Sequence, residues 1–212
     1  MNEIRSAPWS QVQATPLARI ARKVIDEDSS HLAYHNSDHV VSMYEYLDDT
    51  NEPYDETLDW AVLFHDFVYD EKPEKELRSA KAFVDMVKVY KGCNLSPAKQ
   101  GQVHSLIMRT VDHIVMSEVK GSSAIVRADL HGLSNRVTAF KNFNKIMDES
   151  MKVYNIDEVE FAENSEKFMT ALLDRVSKNI THDPEYRDFY LKVSDGILMT
   201  INLAQLIQGK LK

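Results

Sequence analysis

Residues 63–69 read LFHDFVY. This segment places an adjacent pair, His65 and Asp66, at the end of the apolar run WAVLF of residues 60–64. Burial of an ionised carboxylate in such surroundings is costly unless the carboxylate is paired or coordinates a metal. Imidazole and carboxylate together suit a borderline or hard divalent cation. Taken alone, the pair also fits a structural role, in which the aspartate caps a neighbouring backbone segment.

Two further segments favour the metal interpretation. Histidines occur upstream in YHNSDHV at residues 34–40, and an aspartate occurs downstream in ADL at residues 128–130. This order of residues resembles the signature of the HD superfamily of metal-dependent phosphohydrolases, which is a histidine, then a histidine–aspartate pair, then an aspartate. Over about residues 30–135 the chain resembles a subgroup of predicted metal-dependent HD phosphohydrolases, through YHNxxHV at 34–40, FHDxVYD at 64–70, ExxSA at 76–80 and ADL at 128–130.

The resemblance implies a metal-ligand set of His39, His65, Asp66 and Asp129. It favours His39 over His35, because a histidine–valine pair continuing into an apolar helix is the family's usual context. The cofactor would be a divalent ion, drawn from Mn2+, Co2+, Mg2+, Fe2+, Zn2+ and Ni2+. Such an ion would polarise the phosphoryl group and lower the pKa of a bound water toward neutrality. The sequence leaves open whether one ion or two are bound.

The spacing of His35 and His39 also raises a rival interpretation. They are one helical turn apart and can share a face, as in zinc metalloproteases. Those enzymes need a glutamate directly after the first histidine as general base, and this chain has Asn36 there. The protease interpretation is therefore rejected, and His35 is predicted to be a catalytic or substrate-binding side chain.

Asp129 is distant in sequence from the other proposed ligands, but the residues around it favour a position in the core. Its apolar neighbours form one helical face, which would direct the carboxylate into the core; they are Ile125, Val126, Leu130 and Leu133. The alternative is that Asp129 is a cap or forms a surface pair with Arg127, a common but energetically minor contact.

Further site residues follow from the resemblance. His113, in TVDH at residues 110–113, matches a family histidine that would contact phosphate or a second metal, and Glu76 would be a general base or support a ligand. The chain departs from the family at Lys75, where asparagine is usual. The structural alternatives are that His35 and His113 are hydrogen-bonded at helix ends and that Glu76 is exposed to solvent. The predicted catalytic residues are Asp66, His35 and Glu76. The predicted substrate contacts are His35 and His113, together with Arg78 and Lys75, two cationic side chains that follow the His-Asp pair in sequence and could contact phosphate.

Helical periodicity runs through almost the whole chain, and no stretch sustains the alternation of a strand. The predicted fold is an all-α, single-domain HD-type bundle over residues 1–212, with about nine helices. The motif core would span about 30–135, and C-terminal helices from about 136 to 208 would pack on it. Local signals predict four boundaries: Thr15–Pro16 as the start of a helix to Asp28, a helix at 53–69 that contains the His-Asp pair, a start at Pro73, and a helix from 97 to about Ile114.

Composition restricts the partners and the compartment. Apolar residues make up 43% of the 212 residues and charged residues 27%, as in ordinary globular domains. The net charge of −8 argues against binding to nucleic acid or an anionic membrane, and no stretch approaches a membrane helix. Cys93 is the single cysteine, and residues 1–13 lack the apolar core of a signal peptide, so a cytoplasmic location is predicted.

The predicted function is a metal-dependent phosphohydrolase that cleaves an ester or anhydride of a nucleotide or related small phosphorylated metabolite. No glycine-rich phosphate loop is present, so the metal and side chains would have to hold the phosphate. The sequence does not distinguish a nucleotidase from a nucleoside triphosphate hydrolase, and alarmone hydrolysis ranks last because the Glu-Asp extension is missing. The alternative is a non-catalytic nucleotide-sensing or partner-binding module that keeps the HD fold. Homo-oligomerisation is left open.

Overall fold

The computed structural model describes residues 15–70, 72–90 and 93–210, so the signal-peptide argument for residues 1–13 lies outside it. Within these ranges the chain forms nine α-helices, two short 3-10 helices and no strand. The predicted all-α fold class is confirmed. The helices are α1 Pro16–Asp28, α2 Ser37–Asp49, α3 Glu56–Phe64, α4 Lys75–Val89, α5 Pro97–Asp112, α6 Ser122–Leu130, α7 Arg136–Tyr154, α8 Glu158–His182 and α9 Arg187–Ile207, with 3-10 turns at His131–Leu133 and Pro184–Tyr186.

Side-chain caps explain where the first three helices begin. Thr15 Oγ1 accepts a hydrogen bond from the Ala18 amide at 3.2 Å, and Pro16 takes the first helical position of α1, as predicted. Asn36 caps α2 in the same way. Asp55 accepts hydrogen bonds from the amides of Thr57 and Leu58, so α3 begins at Glu56 and not at the predicted residue 53.

The end of α3 corrects the prediction that the His-Asp pair lies inside a helix. The helix ends at Phe64, and His65 and Asp66 form the turn that follows it. The Phe67 amide bonds to the Phe64 carbonyl oxygen, and the Val68 amide binds the hydroxyl of Ser79 at 2.9 Å instead of a helix carbonyl. A side chain from α4 therefore supplies the bond that stops the helix.

Two other boundaries also differ from the prediction by about two residues. Helix α4 begins at Lys75 and not at Pro73, after Glu74 adopts a left-handed conformation with φ of 59°. Helix α5 ends at Asp112 and not near residue 114, because the Asp112 carboxylate accepts a hydrogen bond from the Ile114 amide at 3.0 Å. His113 between them has a φ of 53°.

The described residues fall into two compact units. The first contains residues up to 111 together with 116–129, and the second contains 112–115 and the residues from 130 onward. In the first unit every residue from 57 to 64 of α3 is buried, and Trp60, Phe64 and Phe83 pack with ring centroids 5.2–6.0 Å apart. The single-domain boundary and the packing of the C-terminal helices on the motif core stay predictions.

The second unit has its own apolar core, around Phe143 and Phe161, whose ring centroids are 5.3 Å apart. Ala162 and Ala204 are buried in the same cluster. Among the described helices, none combines the length and the apolar character needed to cross a membrane.

Gly196 on α9 gives a stability prediction for the second unit. A Cβ at this position would lie 1.9 Å from the carbonyl oxygen of Leu133, a backbone atom that cannot swing aside. We expect Gly196→Ala to lower the free energy of unfolding by about 3 kcal/mol, the upper range for overpacking. Chemical denaturation followed by circular dichroism measures the change.

Gly101 on α5 provides the matched control. A Cβ added to Gly101 would have no heavy atom within 4 Å, so Gly101→Ala should raise the free energy of unfolding by about 1 kcal/mol through helix propensity alone. Equal effects of the two substitutions would contradict a close approach of α9 to Leu133.

Candidate metal centre

His65 is positioned as a metal ligand by the turn that ends α3. Its backbone keeps helical angles (φ −60°, ψ −41°), and its side chain is only 1% exposed. Nδ1 lies 2.9 Å from the Val62 carbonyl oxygen, and because a carbonyl can only accept, Nδ1 carries the hydrogen. Nε2 therefore keeps its lone pair in neutral His65. This atom is buried and faces the carboxylate of Asp66, whose Oδ2 lies 3.0 Å away. A histidine oriented in this way is typical of a metal ligand.

His39 and the two aspartates converge on the same point. The Nε2 atom of His65 lies 3.0 Å from Asp66 Oδ2 and 4.0 Å from Asp129 Oδ1. The Nε2 atom of His39 lies 3.3 Å from Asp129 Oδ1 and 3.9 Å from Asp66 Oδ2. Both imidazoles therefore face both carboxylates, although the four residues come from α2, the turn after α3, and α6.

The spacing of these atoms fits a single cation. One ligand atom each from His39, His65 and Asp129 lies within 4.8 Å of the other two. Ligands about 2.0–2.2 Å from one ion are separated by up to roughly 4.4 Å, so only a small contraction is needed. The Asp66 and Asp129 side chains are 16% and 13% exposed, whereas that of His39 is 4% exposed. The carboxylates therefore form the side of the centre that solvent can reach.

The electrostatics of the centre favour a positive charge. Burial lowers the pKa of His65, but the carboxylates of Asp66 and Asp129 outweigh burial and raise this pKa to about 9. Burial raises the pKa of Asp66, but the neighbouring His65, His35 and His39 bring it well below its usual range. A divalent cation would use the same lone pair of His65 as the proton, so binding would release that proton. Two imidazole nitrogens suit Mn2+, Fe2+, Co2+, Ni2+ or Zn2+ better than Mg2+.

The segment after the His-Asp pair is held by two side chains of α4. Ser79, which is fully buried, binds the Val68 amide, and Arg78 forms a bidentate ion pair with Asp70. Arg78 also donates from Nε to the Pro73 carbonyl oxygen at 3.1 Å and from Nη2 to that of Lys72 at 2.9 Å. Its hydrogen bond to Asp70 is the main reason why the pKa of that carboxyl falls to about 2. These contacts commit Arg78 to the loop, and its predicted substrate contact stays a prediction.

Arg127 lies near Asp129 in sequence, but it is buried and not at the surface, where a pair with Asp129 was the alternative expectation. Its side chain is 1% exposed, and Nη2 donates to Glu52 Oε2 at 2.8 Å. Further bonds run to Tyr46 Oη at 3.3 Å and Ser123 Oγ at 3.1 Å. The buried guanidinium thus ties α6, which carries Asp129, to the segment that follows α2.

The predicted substrate residues His35 and Lys75 are brought together by Tyr69, which the sequence pattern does not assign to the site. The His35 ring stacks on the Tyr69 ring with centroids 4.0 Å apart and an interplanar angle of 18°. The Nζ atom of Lys75 lies 3.7 Å from the centroid of the same tyrosine ring. His35 is also next to the metal centre, with its ring centroid 6.1 Å from that of His39. We call these three residues the His35–Tyr69–Lys75 stack.

The structure leaves the predicted roles of two further residues, Glu76 and His113, untested. Glu76 lies in the first turn of α4 and is partly exposed. His113 follows α5 in the second compact unit, where its carbonyl oxygen accepts a hydrogen bond from Asn179 Nδ2 at 2.7 Å. The catalytic role of Glu76 and the substrate contact of His113 stay predictions.

Comparison with known proteins found no match for this chain among protein-family models, curated proteins or solved structures. The resemblance to the HD superfamily therefore stays a prediction. A function has to be argued from the chemistry of the centre itself.

Proposed function

We propose that the chain is a metal-dependent phosphohydrolase of the HD type, which cleaves a phosphate ester or anhydride of a nucleotide or related small phosphorylated metabolite. The observation that carries this proposal is the convergence of two buried imidazole nitrogens, Nε2 of His39 and Nε2 of His65, on the carboxylates of Asp66 and Asp129 at 3.0–4.0 Å. Carboxylates in such surroundings are costly unless they are paired or coordinate a metal. A bound divalent cation among these four side chains would balance their charge.

The donor set fits such an ion and the proposed chemistry. Two imidazoles and two carboxylates, from His39, His65, Asp66 and Asp129, would hold it, with positions left for water and a phosphate oxygen. When bound, a divalent ion acts as a Lewis acid toward the phosphoryl group and activates a water molecule.

The chain's own residues would bind and orient the substrate and move protons. The two carboxylates are partly exposed, so Asp66 would orient an attacking water on the open side of the centre. His35, beside His39, would donate an N–H to a phosphoryl or leaving-group oxygen. Glu76 is the further candidate for a general base.

Lys75 supports an anionic substrate, because a phosphate would offer its ammonium a stronger contact than the Tyr69 ring does. A cation–π contact at a partly exposed site contributes about 0.5–1 kcal/mol, whereas a hydrogen bond to a charged group contributes about 1.5–3 kcal/mol. A phosphate within reach would therefore compete well with the Tyr69 ring for the Lys75 ammonium. With a net charge of −8 on the whole chain, such local positive charge favours a small anion over nucleic acid.

The test combines metal analysis with a phosphate-release screen on the purified protein. Elemental analysis should find a transition metal, and phosphate should be released from some nucleotides or phosphorylated metabolites with Mn2+, Co2+ or Mg2+. A chelator should abolish that release and lower the melting temperature. At a free metal concentration 100 times Kd, the ion should stabilise the native state by about 2.7 kcal/mol.

The result also separates the alternative function. A protein that binds nucleotide but releases no phosphate, with metal present, would favour the non-catalytic nucleotide-sensing module. A protein that binds none of these metals would contradict both the centre and the proposed hydrolysis.

A further inference from the structure

We infer that the substrate carries at least two phosphate groups, and that Lys75 binds the phosphate group farther from the metal centre. This inference rests on the proposed function and narrows its substrate class. It comes from the order of side chains in the His35–Tyr69–Lys75 stack, which begins beside the ligand His39.

The stack separates two hydrogen-bond donors by one aromatic ring. The His35 ring lies nearly parallel to the Tyr69 ring at 4.0 Å and so covers one of its faces. The Lys75 Nζ atom, at 3.7 Å from the same centroid, then lies over the other face. His35 is therefore the donor next to the centre, and Lys75 is the donor one ring beyond it.

The position of Tyr69 is set by the loop that follows the His-Asp pair. The residue before it, Val68, is bound to Ser79, and the residue after it, Asp70, is bound to Arg78. Both partners belong to α4, whose first residue is Lys75. The Lys75 head group is consequently held against the loop that also presents His65 and Asp66, and not left in bulk solvent.

The two donors match successive phosphate groups. A phosphate group at the centre would contact the bound cation and an N–H of His35, which histidine offers in either protonation state. Binding of this first phosphate group would not require Lys75. A second phosphate group, attached to the first, would extend along the stack toward the ammonium, which is a flexible point charge suited to phosphate. Arg78, the neighbouring cation, donates to Asp70 and to two loop carbonyl oxygens.

Calorimetric titration with inorganic phosphate, pyrophosphate and tripolyphosphate tests the inference without a nucleoside. In Mn2+-loaded protein, Lys75→Ala should weaken pyrophosphate and tripolyphosphate binding about tenfold, which corresponds to about 1.4 kcal/mol. Binding of inorganic phosphate should change less than about twofold, since the discriminating contact is absent. The titrations are repeated in metal-stripped protein. There too, Lys75→Ala should bind pyrophosphate and tripolyphosphate more weakly than the unmodified chain by the same factor, independently of any turnover.

Three further variants separate the position of the ammonium from its charge. Lys81→Ala removes the same charge from an exposed site on α4 and should leave all three affinities unchanged. Tyr69→Phe keeps the ring and should bind pyrophosphate normally, whereas Tyr69→Leu should resemble Lys75→Ala. Circular dichroism checks that each variant is folded, and Lys75→Gln replaces Lys75→Ala if the alanine variant is not.

The outcomes are distinct for the two proposals. Equal weakening of all three anions in Lys75→Ala, or no weakening, would overturn the inference, as would the failure of the unmodified protein to bind pyrophosphate. Absence of phosphate release from every substrate would contradict the proposed function, and the calorimetric series would still decide the role of Lys75.

Discussion

Asp129→Asn is expected to reduce phosphate release at least about 100-fold, because loss of a direct ligand should cost no less than the loss of a side chain that supports one. The substitution keeps the shape of the side chain and removes the negative charge that faces His39 at 3.3 Å and His65 at 4.0 Å. Metal affinity should fall together with turnover. Helical content should not change, since α6 is tied in place by the buried Arg127.

Asp49→Asn is the matched control for the change in charge. Asp49 is an exposed residue at the C-terminal end of α2, so its loss should leave metal affinity and turnover within about twofold, the range of surface substitutions. Elemental analysis and phosphate release are measured on both variants. An Asp129→Asn protein with normal metal content and normal turnover would remove Asp129 from the centre and would leave the proposed function without its ligand set.

The resemblance to the HD signature predicts the convergence of the four proposed ligands, and three of them also carry a local signal. His65 and Asp66 end an apolar run, and α3 is indeed buried from residue 57 to residue 64. Asp129 follows an apolar helical stretch, with Ala128 and Leu130 buried on either side of it. The roles of these residues as ligands stay predictions, whereas their proximity is a property of the structure.

The rest of the site depends on contacts that local patterns do not encode. The end of α3 is set by Ser79, which is 11 residues from its partner Val68, so helical periodicity alone extends the helix too far. The ion pair between Arg127 and Glu52 joins residues 75 positions apart, and the sequence around either residue does not indicate the other as its partner. Tyr69 belongs to the FHDxVYD segment, but the pattern does not indicate its contacts with His35 and Lys75, because an aromatic residue at such a position usually packs in a core.

The paired histidines of α2 and the preceding turn give the second large expected effect. His39→Gln should lower metal affinity at least about 100-fold, while His35→Gln should retain the metal and lower turnover by about 100-fold, the lower range for a general acid or base. The reason is geometric: His39 Nε2 approaches both Asp66 and Asp129, whereas the His35 ring stacks on Tyr69. Glutamine holds most of the side-chain volume, which matters because His39 is buried.

The same substitution at two positions four residues apart makes each histidine the control for the other. Elemental analysis after gel filtration measures metal content, and phosphate release at saturating Mn2+ measures turnover. High Mn2+ should partly restore the His39→Gln protein, because its defect is in occupancy, and should not restore His35→Gln, because its defect is in the proton donor. Metal loss in His35→Gln with full occupancy in His39→Gln would show that the first ligand is His35, and that the stack belongs to the centre and not to the substrate.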